Sequence, residues 1–344
     1  YHESTYNNKM KQSKASPTIY DVAEMASVSI ATVSRVLNAS ELVKEETRKK
    51  VLKAIDTLGF VPDAFARERA RKGMGHIGVI TPFFTIPSVT QRLSGIAESL
   101  VDTPYNLTIF PVDSKKRLDS YYTELPYSRL VDGLIILTLP IDDLTLQRFA
   151  KRQIPLLTIE NHIPGYPSIE YDNQLGGKLA AEHFISKNHK RCAFIGNSLV
   201  PAYALSQEEE RLKGYQQTLH QHNLDLPDQY VKLPVLHSRD QDQQIQDLLD
   251  LDSPPTAIFT STDELSLRVL KVAKKSGVRI PEDLAVIGFD DIEIASYVEL
   301  TTISQSLYES GKLAAERIVS QIANPNRPVE NTFLQLKLIE RNTT

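Results

Sequence analysis

TIYDVAEMASVSIATVSRVLN, residues 18–38, decides how the front of this chain is read. Thr18 followed three residues later by Asp21 has the spacing of a capping box, so a helix is expected to start near Ile19. Ser29 can cap a second helix, IATVSRVLN, on which Val33, Val36 and Leu37 share one face at i, i+3 and i+4. A third helix is expected from about Lys44 to Leu58, with Val51, Leu52, Ile55 and Leu58 as its apolar stripe. Three short helices with a tight turn between the first two make a helix-turn-helix. On the other face of the second helix, Ile30 and Ala31 can meet thymine methyls in a major groove, and Arg35, one turn on, can reach guanine O6 and N7. Thr32 and Ser34 can bond phosphates, as can the backbone N–H groups at the two helix starts, around Thr18, Tyr20 and Ser29. The competing reading is a small helical bundle in which Arg35 is only solvated surface.

Charge supports the first reading. Residues 1–72 carry 13 Lys and Arg against 9 Asp and Glu, whereas the chain of 344 residues as a whole has a net charge of −4. A basic head on an acidic body fits a polyanion-binding module joined to a part with another task. At 41 % hydrophobic and 24 % charged residues the chain has the composition of an ordinary soluble protein with room for two or three domains. It contains no run of about 18 apolar residues, so no membrane span is expected. The polar start has no apolar h-region, and a cytoplasmic protein is expected. Residues 1–17, with Lys9, Lys11 and Lys14, are expected to be a disordered tail, and the first residue, Tyr1, points to a partial or processed chain. Cys192 is the only cysteine, which excludes an internal disulfide and fits a small core residue inside a strand.

Between Ala66 and Gly78 the chain reads ARERARKGMGHIG, and Gly73, Gly75 and Gly78 have the spacing of a dinucleotide-binding fingerprint. That mechanism needs the glycines after a strand and at the start of a helix. Here they precede the apparent strand HIGVIT. No Walker loop, G-x-S-x-G elbow or H-E-x-x-H is present, so neither an enzyme nor a cofactor is expected. The eight histidines are scattered; His183 and His189 lack metal-ligand spacing and read as surface residues, so no metal is expected.

From His76 onward the pattern is βα repeated. HIGVIT, NLTIFP, DGLIIL, PLLTIE, CAFIG, YVKLP, TAIFTS and LAVIGF read as strands, and helical stretches lie between most of them. NQLGGKLAAEHFIS is one, with Leu175, Leu179 and Phe184 on one side. Short apolar strands alternating with helices imply parallel sheets covered on both faces. The number of units exceeds one comfortable sheet, so two similar lobes are expected, with a break near Tyr171 to Asn173.

TIYDVAEMASVSIATVSRVLN and the following TRKKVLKAIDTLGFVPDAFAR, residues 47–67, closely resemble the DNA-binding head of the lactose-repressor (LacI/GalR) family of bacterial transcription regulators. EYDNQLGGKLAAEHFI, RLKGYQQTL, PTAIFTSTDELSLRVL, GVRIPEDLAVIGFDD and LTTISQSLYESGKLAAERI resemble that family's effector-binding core, whose two-lobe architecture is shared with periplasmic sugar-binding proteins. The resemblance implies an all-α helix-turn-helix head plus an α/β body of two doubly wound parallel-sheet lobes. It divides the chain into a tail at 1–17, a head at 18–62 and a hinge linker at 63–75. A first lobe follows at 76–172 and 308–328, and a second at 173–307 and 329–344, to which the last strand, FLQLKLI, is assigned. In the linker the resemblance gives Arg67 and Arg69 to phosphate or minor-groove contacts. Many members carry a wedging leucine at the position of Arg69, so less kinking of the operator is expected here.

The resemblance also implies an effector site. Arg211 in RLKGY matches a ligand-gripping arginine and Asp290 in GFDD a ligand-binding aspartate; a guanidinium fork and a carboxylate suit sugar hydroxyls in a dry cleft. Thr262 stands where many members have asparagine, and Glu160 where many have aspartate. Phe83 and Phe84 follow the first strand, where an aromatic ring covers an apolar sugar face. His237 and Gln305 are placed there by rough alignment. Each has a plainer reading: Asp290 and Asp291 as helix caps, Arg211 paired with Glu208, Phe83 and Phe84 as core. The departures at Thr262 and Glu160 leave the effector open between a sugar and a nucleobase, nucleoside or phosphorylated metabolite. The implied function is a regulator, as a homodimer on a roughly palindromic operator, with a small-molecule effector that induces or corepresses. Because ERNTT ends the chain without a leucine-heptad tail, dimers are expected rather than tetramers.

Overall fold

The computed structural model describes residues 17–38, 43–58, 60, 75–128, 130–197, 201, 203–234 and 241–344. Residues 1–16 of the tail, 63–74 of the linker with Arg67 and Arg69, and His237 lie outside the described residues. The chain forms two units, Tyr1–Lys72 and Gly73–Thr344.

In the first unit, helices α1 (Ile19–Ala26), α2 (Ile30–Asn38) and α3 (Glu45–Leu58) close on one small core. Both halves of the capping box form: the Asp21 backbone N–H donates to the Thr18 hydroxyl, and the Thr18 backbone N–H to the Asp21 carboxylate. The Ser29 hydroxyl accepts from the Thr32 backbone N–H at 3.1 Å and so caps α2. Val22, Val33 and Val51 are fully buried, each contributing about 1.5–3 kcal/mol by leaving water. The stripe on α3 differs from expectation at one residue. Ala54 is buried, with Ile55 and Leu58 beside it, and Leu52 is exposed. Positions 51, 54, 55 and 58 share a helical face, and residue 52 is turned about 100° away from 51.

The second unit contains two six-stranded sheets. The first holds β1 (His76–Pro82), β2 (Asn106–Val112), β3 (Gly133–Leu137), β4 (Leu156–Ile159), β5 (Ser168–Tyr171) and β11 (Asn331–Leu334), in the order β2-β1-β3-β4-β5-β11. The second holds β6 (Cys192–Ile195), β7 (Val231–Lys232), β8 (Ala257–Thr260), β9 (Ala285–Asp290), β10 (Thr301–Ser304) and β12 (Lys337–Ile339), in the order β7-β6-β8-β9-β10-β12. The two orders are the same doubly wound pattern written twice. In such a sheet the strand order reverses between the first and third strands, and loops diverge there to leave a crevice. All pairings are parallel except β12 against β10. The expected break after Tyr171 is where the chain first passes from one sheet to the other.

FLQLKLI does not go whole to the second lobe. Its first residues belong to β11 beside β5, and its last to β12 beside β10. The first lobe therefore regains the chain through Leu334, six residues beyond the expected boundary at 328. Leu334 reaches the apolar clusters of both lobes, and Leu336 is buried in the second alone; two adjacent cores pull one short apolar run apart. β5 and β10 are absent from the sequence-derived strands because SIEY and TTIS are short and polar. Thr301 and Thr302 are nonetheless fully buried, and the Thr302 hydroxyl donates to Asp263 at 2.6 Å.

Helix α7 (Asn173–Ser186) follows β5, and α8 (Glu208–Gln221) follows β6. Small residues set the packed face of α7: Gly176, Gly177, Ala180 and Ala181 are buried with Phe184, while Leu175 points out. A Cβ on Gly177 would lie 1.9 Å from the Arg211 carbonyl oxygen, so only glycine permits the approach of α8. His183 is buried, not a surface residue; its ring Nε2 bonds the Thr344 hydroxyl at 2.8 Å, and burial lowers its pKa. Cys192 is buried in the second core, as its strand context predicts.

Candidate functional site

The loops at the carboxyl ends of both sheets converge on a cleft with a cavity of about 170 Å³. Five non-glycine residues at these strand ends, Phe83, Thr138, Glu160, Asp290 and Asp291, have positive φ, as does Ser306 on the second crossover between lobes. Such backbone is uncommon, and its concentration on one cleft marks a place where side-chain aim has outweighed local ease. The lobes also touch directly. The Leu205 backbone N–H donates to the Thr138 carbonyl at 2.8 Å, and Gln207 Nε2 to the Glu160 carbonyl at 3.1 Å.

Phe83, Glu160, Arg211, Thr262 and Gln305 all line the cavity. Asp290 stands behind Gln305, whose side-chain amide donates to its carboxylate. Phe84 turns to solvent at 43 % exposure and does not line the cavity; a residue adjacent to an aromatic that faces the cleft is directed elsewhere. The plainer readings of two residues do not match the geometry. Arg211 is buried and gives Nε to Asn173 at 2.9 Å and Nη1 to the Ser261 carbonyl at 2.6 Å, with its guanidinium 3.6 Å above the Phe289 ring. Glu208 instead accepts from Asn197. Asp290 caps no helix, and Asp291 pairs with Arg341 at 2.7 Å. Thr262 does both things, lining the cavity and capping α10 (Asp263–Ser276) through Leu265 N–H.

Arg92 escaped sequence reading. It lies on α4 (Pro87–Leu100), buried among residues of the first lobe, and its guanidinium pairs with Glu160. Nη2 also reaches Gln305 at 3.2 Å, Nε reaches Ser310 at 3.3 Å, and the group lies 5.7 Å from the Tyr171 ring centre. An arginine within TQRLSG carries no motif; only the fold brings it to Glu160, 68 positions later. Burial works against its charge, but Glu160, Tyr171 and Asp290 outweigh that cost and hold its pKa above the usual guanidinium value. Burial, aided by Glu160, pushes the Asp290 carboxyl up to about 7 against the pull of Arg211, Arg92 and Gln305. Asp263, buried beneath, is also raised, by burial first and by Asp290 second. No group of three or more His, Cys, Asp or Glu side chains is placed to hold a metal ion among the described residues.

The head presents a different chemistry. Tyr20, Ile30, Ala31 and Arg35 are exposed, whereas Thr32 and Ser34 are half-buried. The hydroxyls of Thr18, Ser29 and Thr32 are engaged in the helix caps, and among the described side chains of α2 Ile30, Ala31 and Arg35 are the exposed ones. No helix among the described residues is long and apolar enough to cross a membrane.

Comparison with known proteins agrees with both halves. A family model described as bacterial regulatory proteins, lacI family, matches residues 18–63, and one described as periplasmic binding protein-like domain matches residues 181–344. Catabolite control protein A of Priestia megaterium is 32 % identical over 326 residues, which is 93 % of this chain and 96 % of the relative. Among solved structures, the transcriptional regulator CelR in complex with cellobiose aligns with a TM-score of 0.67 at 26 % identity, over 95 % of this chain and 100 % of that one. The Lac repressor dimer bound to operator and the anti-inducer ONPF aligns with a TM-score of 0.69 at 26 % identity, over 95 % and 98 %. With a helix-turn-helix head, a duplicated doubly wound body and a relative this similar along nearly its whole length, the chain belongs to the lacI family of bacterial regulatory proteins.

Proposed function

We propose that this protein is a transcriptional repressor that reads a roughly palindromic operator as a homodimer and releases or grips it according to a sugar bound in the interlobe cleft. The observation that carries this reading is the pairing of an exposed Ile30, Ala31 and Arg35 face on one unit with a cleft lined by both charged and apolar side chains in the other. The cleft suits a sugar because Arg211 and Gln305 supply hydrogen-bonding groups and Phe83 an aromatic face, while Ile86, Val89 and Leu205 exclude water. Effector-site roles belong to Phe83, Glu160, Arg211, Thr262, Asp290 and Gln305, and base-edge contacts to Ile30, Ala31 and Arg35. A protein that reads operators works where the DNA is, in the cytoplasm, and it is a regulator rather than an enzyme. Rotation of one lobe against the other on ligand binding would change the spacing of the two linkers in the dimer.

A gel-shift series on a selected operator and its scrambled version, with and without sugars, tests this. The operator should bind about 10³-fold or more tightly than the scrambled duplex. Arg35→Ala should cost about 1–3 kcal/mol and relax preference at one base pair. Equal binding to both duplexes would sink the proposal.

A further inference from the structure

The walls of the cleft carry three cationic side chains, Arg92, Arg211 and Arg268, and three anionic ones, Glu160, Glu208 and Glu264. Arg92 is committed to Glu160, Gln305 and Ser310, and Arg268 to Asp242 at 3.0 Å. Arg211, bonded through Nε and Nη1, keeps Nη2 for a ligand. Such an edge, beside the Gln305 amide on the cleft wall, suits hydroxyl groups. Three cationic side chains against three anionic ones leave the walls without the surplus of positive charge that a phosphate needs.

Size follows from the same residues. Gln305 sits on the crossover between lobes, so Arg92, bonded to it, fills the hinge end of the cleft. What remains is about 170 Å³, close to the roughly 150 Å³ that holds one benzene ring. The fold alone does not impose this limit, since the similar CelR structure holds cellobiose, a two-ring sugar. We infer that Arg92, locked in place by Glu160, is a specificity-determining residue that restricts the effector to a single uncharged sugar ring. The inference rests on reading the cleft as a sugar site.

Isothermal titration of the full chain with D-ribose, D-glucose, D-galactose, cellobiose, lactose, glucose 6-phosphate and adenosine tests both claims. The best-bound monosaccharide should bind about tenfold or more tightly than a disaccharide built on it or its phosphate. Arg92→Leu combined with Glu160→Gln, which leaves no lone buried charge, should bring the monosaccharide-to-disaccharide ratio below about threefold. Equal or tighter binding of a disaccharide by the unaltered protein overturns the inference and needs no variant. So does an unchanged ratio in a variant whose circular dichroism is native, or a preference for the phosphate. Binding of adenosine alone, or of none of the sugars, overturns the sugar reading itself and with it the inference.

Discussion

Arg92 in the first lobe and Arg211 in the second hold matching places and end in opposite states. Each lies on the helix after its sheet's first strand, three residues before a glycine, Gly95 or Gly214, where a second helix crosses. A Cβ on Gly95 or Gly214 would come within 2.0 Å of a backbone oxygen of that second helix. Each has a carboxylate at the end of its sheet's fourth strand, Glu160 after β4 and Asp290 closing β9. In the first lobe the couple is closed, for Glu160 turns through φ 57° and pairs with Arg92. In the second it stays open: Gln305 takes the Asp290 carboxylate, and Arg211 lies flat on Phe289. A duplicated backbone thus carries a closed ion pair on one side and an open couple on the other, the proposed wall and the proposed ligand grip.

Removing Arg92 should give the largest effect. Arg92→Ala leaves Glu160 buried without its partner, and a broken buried ion pair costs about 3–5 kcal/mol. Adding Glu160→Gln should recover more than half of that in chemical denaturation. If Arg92→Ala is nearly neutral, the closed couple is not a structural wall and the contrast between lobes fails.

Arg211→Met should act on ligand rather than fold. It deletes the open guanidinium edge and replaces an ion that no carboxylate pairs with among the described residues. Effector affinity should fall by about 1.5–3 kcal/mol, the worth of hydrogen bonds to a charged group, read by titration with the best-bound sugar. A loss of unliganded stability equal to that of Arg92→Ala would show that Arg211 is also a wall.

Much of this contrast was invisible in the sequence. Capping at Thr18 and Ser29, and eight of the strands, were legible because their signals lie within a few residues. Arg211 and Asp290 were legible as candidates because RLKGY and GFDD carry a family resemblance; of the two, Arg211 lines the cleft. Arg92 was missed because its meaning depends on Glu160, Gln305 and Ser310, all remote in sequence. The split of FLQLKLI was missed for a related reason: an apolar run records that it is buried, not which of two adjacent cores receives each residue.

The smallest effect per unit of pH, and the sharpest test of the open couple, concerns Asp290. Its carboxyl titrates at about 7 in the folded protein and near 3.9 in an unfolded chain. The folded state therefore holds a proton that the unfolded state has lost between those values. Stability from this group is fully present below about pH 4 and lost as pH rises through 7, by at most about 1.4 kcal/mol per pH unit. Asp290→Asn keeps an acceptor for Gln305 and cannot ionise, so the difference in unfolding free energy between the two proteins should grow from pH 5 to 7 and level off by pH 8. His183 and His189 titrate in both proteins, so their contributions largely cancel in that difference; Asp263, raised in part by Asp290, is relieved of that part in the variant and adds to the difference in the same direction. Parallel curves for the two proteins would mean that Asp290 is already ionised at pH 5, its charge held by Arg211. The second couple would then be closed like the first.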